Sequence, residues 1–223
     1  VSPNRSFKRN ARSYRRHGTQ SASLGMKFLI VVEGEKTEPN YFKQLRNALR
    51  LGTADVVVVH PEGTDPGTLV RKAKELMNDR ARAAKKGDGV AYDEVWVVFD
   101  LEKPHDERRR LAEQAMNSCD AKGLRFAISD PCFEFWLLLH FTYTTRPFDS
   151  CDDVTMEIRK AWADHAKGRL LPEPIRDKAT MAIRNAERIR RHHEAAEGDG
   201  NPQTCVDILV RSLSDSSRHR LDC

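Results

Sequence analysis

The chain of 223 residues is long enough to bury a real core, as one domain of moderate size or one domain with a helical appendage, and too short for two large independent domains. Its formal net charge of +5 is unevenly placed: residues 1–25 hold six basic side chains (Arg5, Lys8, Arg9, Arg12, Arg15, Arg16) and no acid, which leaves 32 basic against 33 acidic residues in the remainder. The excess charge therefore belongs to a tail, and the longest apolar stretch, residues 133–141, is too short to span a bilayer and carries Glu134 and His140.

Residues 1–25 mix Arg, Lys, Ser, Asn and Gly with single aromatics at Phe7 and Tyr14, a composition that cannot bury enough surface to order itself. It reads either as an arm lying along phosphates, with aromatics available for stacking, or as a solubilising tail. Phe28 to Val32 are bulky or β-branched without polar alternation, which predicts a strand covered on both faces. It runs into Glu33-Gly34-Glu35. Thr37 can cap a following helix, Pro39 suits its first turn, and Tyr41, Phe42, Leu45, Ala48 and Leu49 recur at helical spacing up to Gly52. Gly34, Lys36 and Thr37 superficially suggest a phosphate-binding loop, but the glycine does not directly precede the lysine and two glutamates would repel phosphate unless a cation intervened.

A second buried strand is predicted over residues 54–60, then a turn through Gly63, Asp65 and Pro66 and a helix striped by Leu69, Val70, Ala73, Leu76 and Met77, closed at Gly87 to Gly89. Residues 94–100 predict a third buried strand ending on Asp100, and Asp100-Leu101-Glu102 sets two carboxylates on one side of an extended chain. Pro104 stops the strand; Leu111, Ala112, Ala115 and Cys119 carry a helix to Gly123. A fourth strand over residues 124–129 ends at Asp130-Pro131, and residues 132–141 predict a buried helix. Beyond Thr142 the pattern is helical only, with stripes at Val154 to Trp162, Ile175 to Ile189 and Val206 to Leu213.

Strand and helix repeated four times imply an α/β fold, a mostly parallel four-stranded sheet with right-handed crossovers, flanked by helices and followed by a C-terminal helical extension. The expected organisation is a basic arm (1–25), an α/β core (26–145), a helical extension packed on it (146–215) and a tail (216–223). In such sheets ligands gather at the carboxyl ends of strands, where Glu33, Asp65, Asp100, Glu102 and Asp130 all fall, with Glu134 just beyond. A solvated turn at a helix N-terminus accounts for Glu33 and Glu35 equally well. Clustered carboxylates repel one another unless a cation is present, which favours a metal.

The five cysteines are odd in number and contain no Cys-x-x-Cys pair, so they argue for a reducing, cytoplasmic setting and against a zinc module or disulfide framework. His60, His105 and His140 are weak candidates for proton carriers, and His192-His193-Glu194 lacks the spacing of a zinc helix.

An apolar strand ending in Glu-Gly, with a later one ending in Asp-x-acid, resembles the TOPRIM fold of topoisomerases, primases and OLD-type nucleases. More closely, VVEGEKTEPNYF (residues 31–42), GTDP (63–66), DPCFEFWLLLHF (130–141), AIRNA (182–186) and NPQT (201–204) resemble, in order, the RloB family of prokaryotic defence-associated proteins. The resemblance spans roughly residues 26 to 210. It implies a magnesium- or manganese-dependent nuclease acting on DNA or RNA in antiviral defence, in a family commonly paired with an ATPase. By position, Glu33 is the TOPRIM glutamate, and Asp100 and Glu102 stand for the Asp-x-Asp pair, with Glu replacing the second Asp. Asp130 stands where the family more often has Asn.

On this reading Asp100 and Glu102 hold the metal, and Glu33 is either a shared ligand or a general base or acid. Glu134, Glu35, Lys36 and Asp65 are additional site candidates, Lys36 through a phosphate contact. No membrane partner is expected, and a homo-oligomer is compatible. The competing expectation is a non-catalytic TOPRIM-like sensor or regulatory module serving an ATPase; a nucleotidyl or phosphoryl transferase on the same cluster is a third.

Overall fold

The computed structural model describes residues 25–222 apart from 54, 64, 102–104 and 197–199, together with the backbone but not the side chains of 105 and 106. The expected arm with its six basic residues and the metal-ligand candidate Glu102 thus lie outside the described residues.

The strands β1 (Phe28–Val32), β2 (Val56–Val59), β3 (Glu94–Asp100), β4 (Arg125–Asp130) and β5 (Gln203–Thr204) form one sheet in the order β2-β1-β3-β4-β5. β1 lies parallel between β2 and β3, and β4 runs parallel to β3. The α/β, mostly parallel architecture is as expected, but the sheet has five strands. The fifth, β5, is two residues long and pairs antiparallel with β4, Ser129 opposite Thr204. β2 is also less buried than predicted. It is an edge strand, and three of its four residues are only half-buried.

β1 and β3 are buried at every position because helices cover both faces of the sheet. Phe28, Ile30, Val32, Trp96 and Val98 point into a core shared with α1 (Thr37–Ala48), α4 (Phe133–Leu138), α5 (Cys151–Ala161), α6 (Ile175–Ala196) and α7 (Val206–Ser216). Leu29, Val31, Val95, Val97 and Phe99 point the other way, against α2 (Pro66–Lys85) and α3 (His105–Met116). This is period-2 alternation with apolar side chains on both sides.

Two local expectations resolve differently. Thr37 begins α1 but does not cap it; Lys36 is the N-cap residue, without a side-chain bond, and the Thr37 hydroxyl instead accepts from the Gly168 N–H at 3.2 Å. Asp65 is the cap of α2, its carboxylate accepting from the Thr68 N–H at 2.9 Å, with Pro66 in the first turn.

The cysteines also require a correction. Cys132, the N-cap residue of α4, and Cys151, the first residue of α5, form a disulfide. They stand 19 apart in the chain and are joined because the two helices pack together, a proximity that cysteine spacing cannot reveal. No helix among the described residues is long and apolar enough to cross a membrane.

Candidate functional site

The carboxyl ends of β1 and β3 open onto a cleft of about 420 Å³. Glu33, Asp100 and Glu134 line it, as do Glu35 and Lys36 and, unforeseen, Glu38, Cys151 and Lys167. Parallel register does the first part: Val32 pairs with Val98, so Glu33, just past β1, and Asp100, the last residue of β3, emerge side by side. The Glu33 carboxylate accepts from the Asp100 N–H at 3.1 Å. Glu134 arrives from the first turn of α4, whose start at Phe133 donates a backbone N–H to the Asp100 carboxylate.

Glu38 enters from the first turn of α1 and folds back over the acidic turn, accepting from the Gly34 N–H at 2.9 Å. This explains the glycine. A Cβ at position 34 would overlap the Glu38 carboxylate, so any larger residue there would push that side chain off the acidic turn. Lys167 is delivered by a loop that docks on α1: the Asn40 side-chain amide donates to the Gly168 carbonyl at 2.6 Å, and Gly168, at φ +79°, packs on the Lys36 Cβ.

The cluster is electrostatically frustrated. Burial, followed by repulsion from Glu38, Glu33 and Glu134, raises the Asp100 carboxyl well above its usual range. Burial likewise lifts Glu38 to about 7, opposed by backbone hydrogen bonds and reinforced by Glu134 and Glu33. Asp100 is 8% exposed, and its Oδ1 has no hydrogen-bond partner among the described residues. A buried acceptor without a donor, inside a set of hard oxygen ligands, fits a divalent cation such as magnesium or manganese. Asp100, Glu38 and Glu134, which line the same cleft, are the residues that would have to close on it, with Glu33 alongside.

Glu33 has a cation already. Arg108 on α3 forms an ion pair with Glu33 Oε1, and its Nε donates to the Asp100 carbonyl at 2.9 Å. Asp65, by contrast, is spent on capping α2 and does not line the cleft. Asp130 pairs with Arg109 at 3.1 Å. Glu35 is mostly exposed, its Oε1 4.0 Å from His60 Nε2, and His60 lines the cleft. His140 is a core residue: burial pushes it down to about 3, and it sits between the Tyr41 hydroxyl and the Trp136 carbonyl.

Sequence spacing missed Glu38, Arg108, Cys151 and Lys167. For Glu38 a signal existed, since it lies four residues beyond Gly34 in the same turn. Arg108, Cys151 and Lys167 come from separate elements and carried none.

The RloB-like protein family matches residues 28–213, most of the chain and all of the sheet. The chain belongs to the RloB-like family. No curated protein and no solved structure matches it. The RloB-like match contains every described residue of the carboxylate cleft, from Glu33 to Lys167.

Proposed function

We propose that this RloB-like protein is a divalent-metal-dependent nuclease that hydrolyses phosphodiesters of DNA or RNA, in antiviral defence and in concert with an ATPase. The observation that carries this reading is Asp100, buried with an unpartnered Oδ1 among Glu38, Glu134 and Glu33 at the mouth of the parallel sheet. A bound magnesium or manganese ion would offset the negative charge there and orient water. Lys36 and Lys167 at the cleft wall would hold substrate phosphates. Without an ion, burial raises the Glu38 carboxyl to about 7, and a bound cation would hold it ionised as a ligand. Arg108 fixes Glu33 against the Asp100 backbone and keeps the acidic turn in register.

One observation favours a different reading, a non-catalytic sensor or regulatory module. The Arg108 guanidinium occupies Glu33, the acid that the TOPRIM resemblance assigns to catalysis. Incubating the full chain, alone and with any neighbouring ATPase partner, with plasmid DNA, single-stranded DNA and total transfer RNA separates the two. Cleavage should require magnesium or manganese, stop with chelator, and be lost in Asp100→Asn and Glu134→Gln. Cleavage that persists in both variants would place the chemistry elsewhere, and none on any substrate with the ATPase present would favour the module.

A further inference from the structure

Cys132, Cys151 and Glu134 converge beside the carboxylate cleft, and one ligand atom from each lies within 4.8 Å of the others. Cys132 is fully buried at the start of α4, Glu134 follows in its first turn, and Cys151 opens α5 and lines the cleft. Glu134 Oε2 stands 3.2 Å from Cys151 Sγ. This donor set differs from that of Asp100 and Glu38. Two sulfurs and one carboxylate suit a borderline-soft cation, whereas magnesium prefers oxygen alone.

We propose that, when the disulfide is reduced, Cys132, Cys151 and Glu134 form a second site, sharing Glu134 with the carboxylate cleft, for a thiophilic divalent cation, zinc being the natural occupant. Reduction by a low-molecular-weight thiol delivers two electrons and two protons to the Cys132–Cys151 bond and leaves that thiol as its own disulfide. Zinc then displaces both thiol protons to solvent and bonds two thiolates. With Zn–S bonds of about 2.3 Å, tetrahedral geometry needs sulfurs about 3.8 Å apart. The Cα atoms are 5.8 Å apart, so side-chain rotation on fixed helices supplies that separation. Three protein ligands leave a fourth position, towards the cleft, for water. Because Glu134 is shared, zinc would withdraw an oxygen ligand from the magnesium site; this consequence alone rests on the nuclease reading.

Cobalt(II) tests the site without any activity assay. Full-length protein is reduced with a phosphine, stripped with chelator, desalted and titrated with cobalt, then zinc. The expected result is a thiolate-to-cobalt charge-transfer band saturating at one equivalent and bleached by one equivalent of zinc. The band should be absent from oxidised protein, lost or halved in Cys132→Ser and Cys151→Ser, and retained when Cys119, Cys205 and Cys223 are all changed to serine. Glu134→Gln should weaken zinc affinity without removing the band. In wild-type protein, which needs no variant to fold, zinc should also slow alkylation of Cys132 and Cys151 but not of Cys119. No band in reduced protein, a band that survives both cysteine changes, or unaltered alkylation overturns the proposal. A failed nuclease assay leaves these outcomes untouched.

Discussion

Glu38 illustrates how one side chain changes meaning when its neighbours are known. In the linear chain it is an acid in the first turn of a helix, which the dipole favours. In the fold it is 5% exposed and faces Glu134, Glu33 and Asp100. Its carboxyl is raised from 4.5 to about 7, so the folded state binds the proton more tightly than the unfolded state does. The resulting stability is present below about pH 4.5 and is lost as pH rises through about 7, at most about 3 kcal/mol. A cation relieves that loss only where the carboxylates are ionised. Magnesium should therefore raise the melting temperature more at about pH 8 than at about pH 5, and Glu38→Gln should reduce both the pH slope and the magnesium gain. Thermal unfolding across pH, with and without magnesium, checks this; equal gains at both pH values would remove Glu38 from the proposed cation site.

At the level of elements, the sheet's far edge depends on an ion pair. The Arg190 guanidinium on α6 binds both carboxylate oxygens of the buried Asp207 on α7 and also donates to the Thr204 carbonyl of β5 at 3.0 Å. Three elements meet on one side chain. Arg190→Met should leave a buried carboxylate unpaired and destabilise the protein by about 3 kcal/mol, whereas adding Asp207→Leu should restore most of that. Denaturant titration of the two variants measures it, and equal losses in the single and double variants would argue against the pair. β5 itself could not be read from Gln203 and Thr204, because a two-residue strand exists only through its pairing with β4. β1 and β3 were legible, being unbroken apolar runs of a length that suits strands.

Across the whole molecule, positive charge is concentrated in residues 1–25 while the remainder is nearly neutral. The cleft itself is acidic, so on the proposed nuclease reading a nucleic acid would reach it with help from basic groups elsewhere. Neutralising phosphates releases counterions, and each phosphate contact contributes about 0.9 to the slope of log affinity against log salt on duplex DNA. Deleting the arm should weaken nucleic-acid binding and lower that slope by several such contacts. Fluorescence anisotropy at a series of salt concentrations measures both, and an unchanged slope would make the arm a solubiliser only.

The sequence by itself determined the α/β architecture, the fully buried strands β1 and β3, the RloB-like resemblance and the convergence of Glu33, Asp100 and Glu134. These follow from local periodicity and from the rule that parallel strands end on a common edge. Tertiary structure alone decided that Glu38 folds over Gly34, that Arg108 occupies Glu33, that Asp65 is a cap outside the cleft, and that Cys132 meets Cys151. The cap and the Glu38–Gly34 contact are local, whereas the Arg108 and Cys132–Cys151 contacts depend on how helices lie against the sheet and one another. Helix periodicity says which face turns inward, but not which residue of another helix it will meet there.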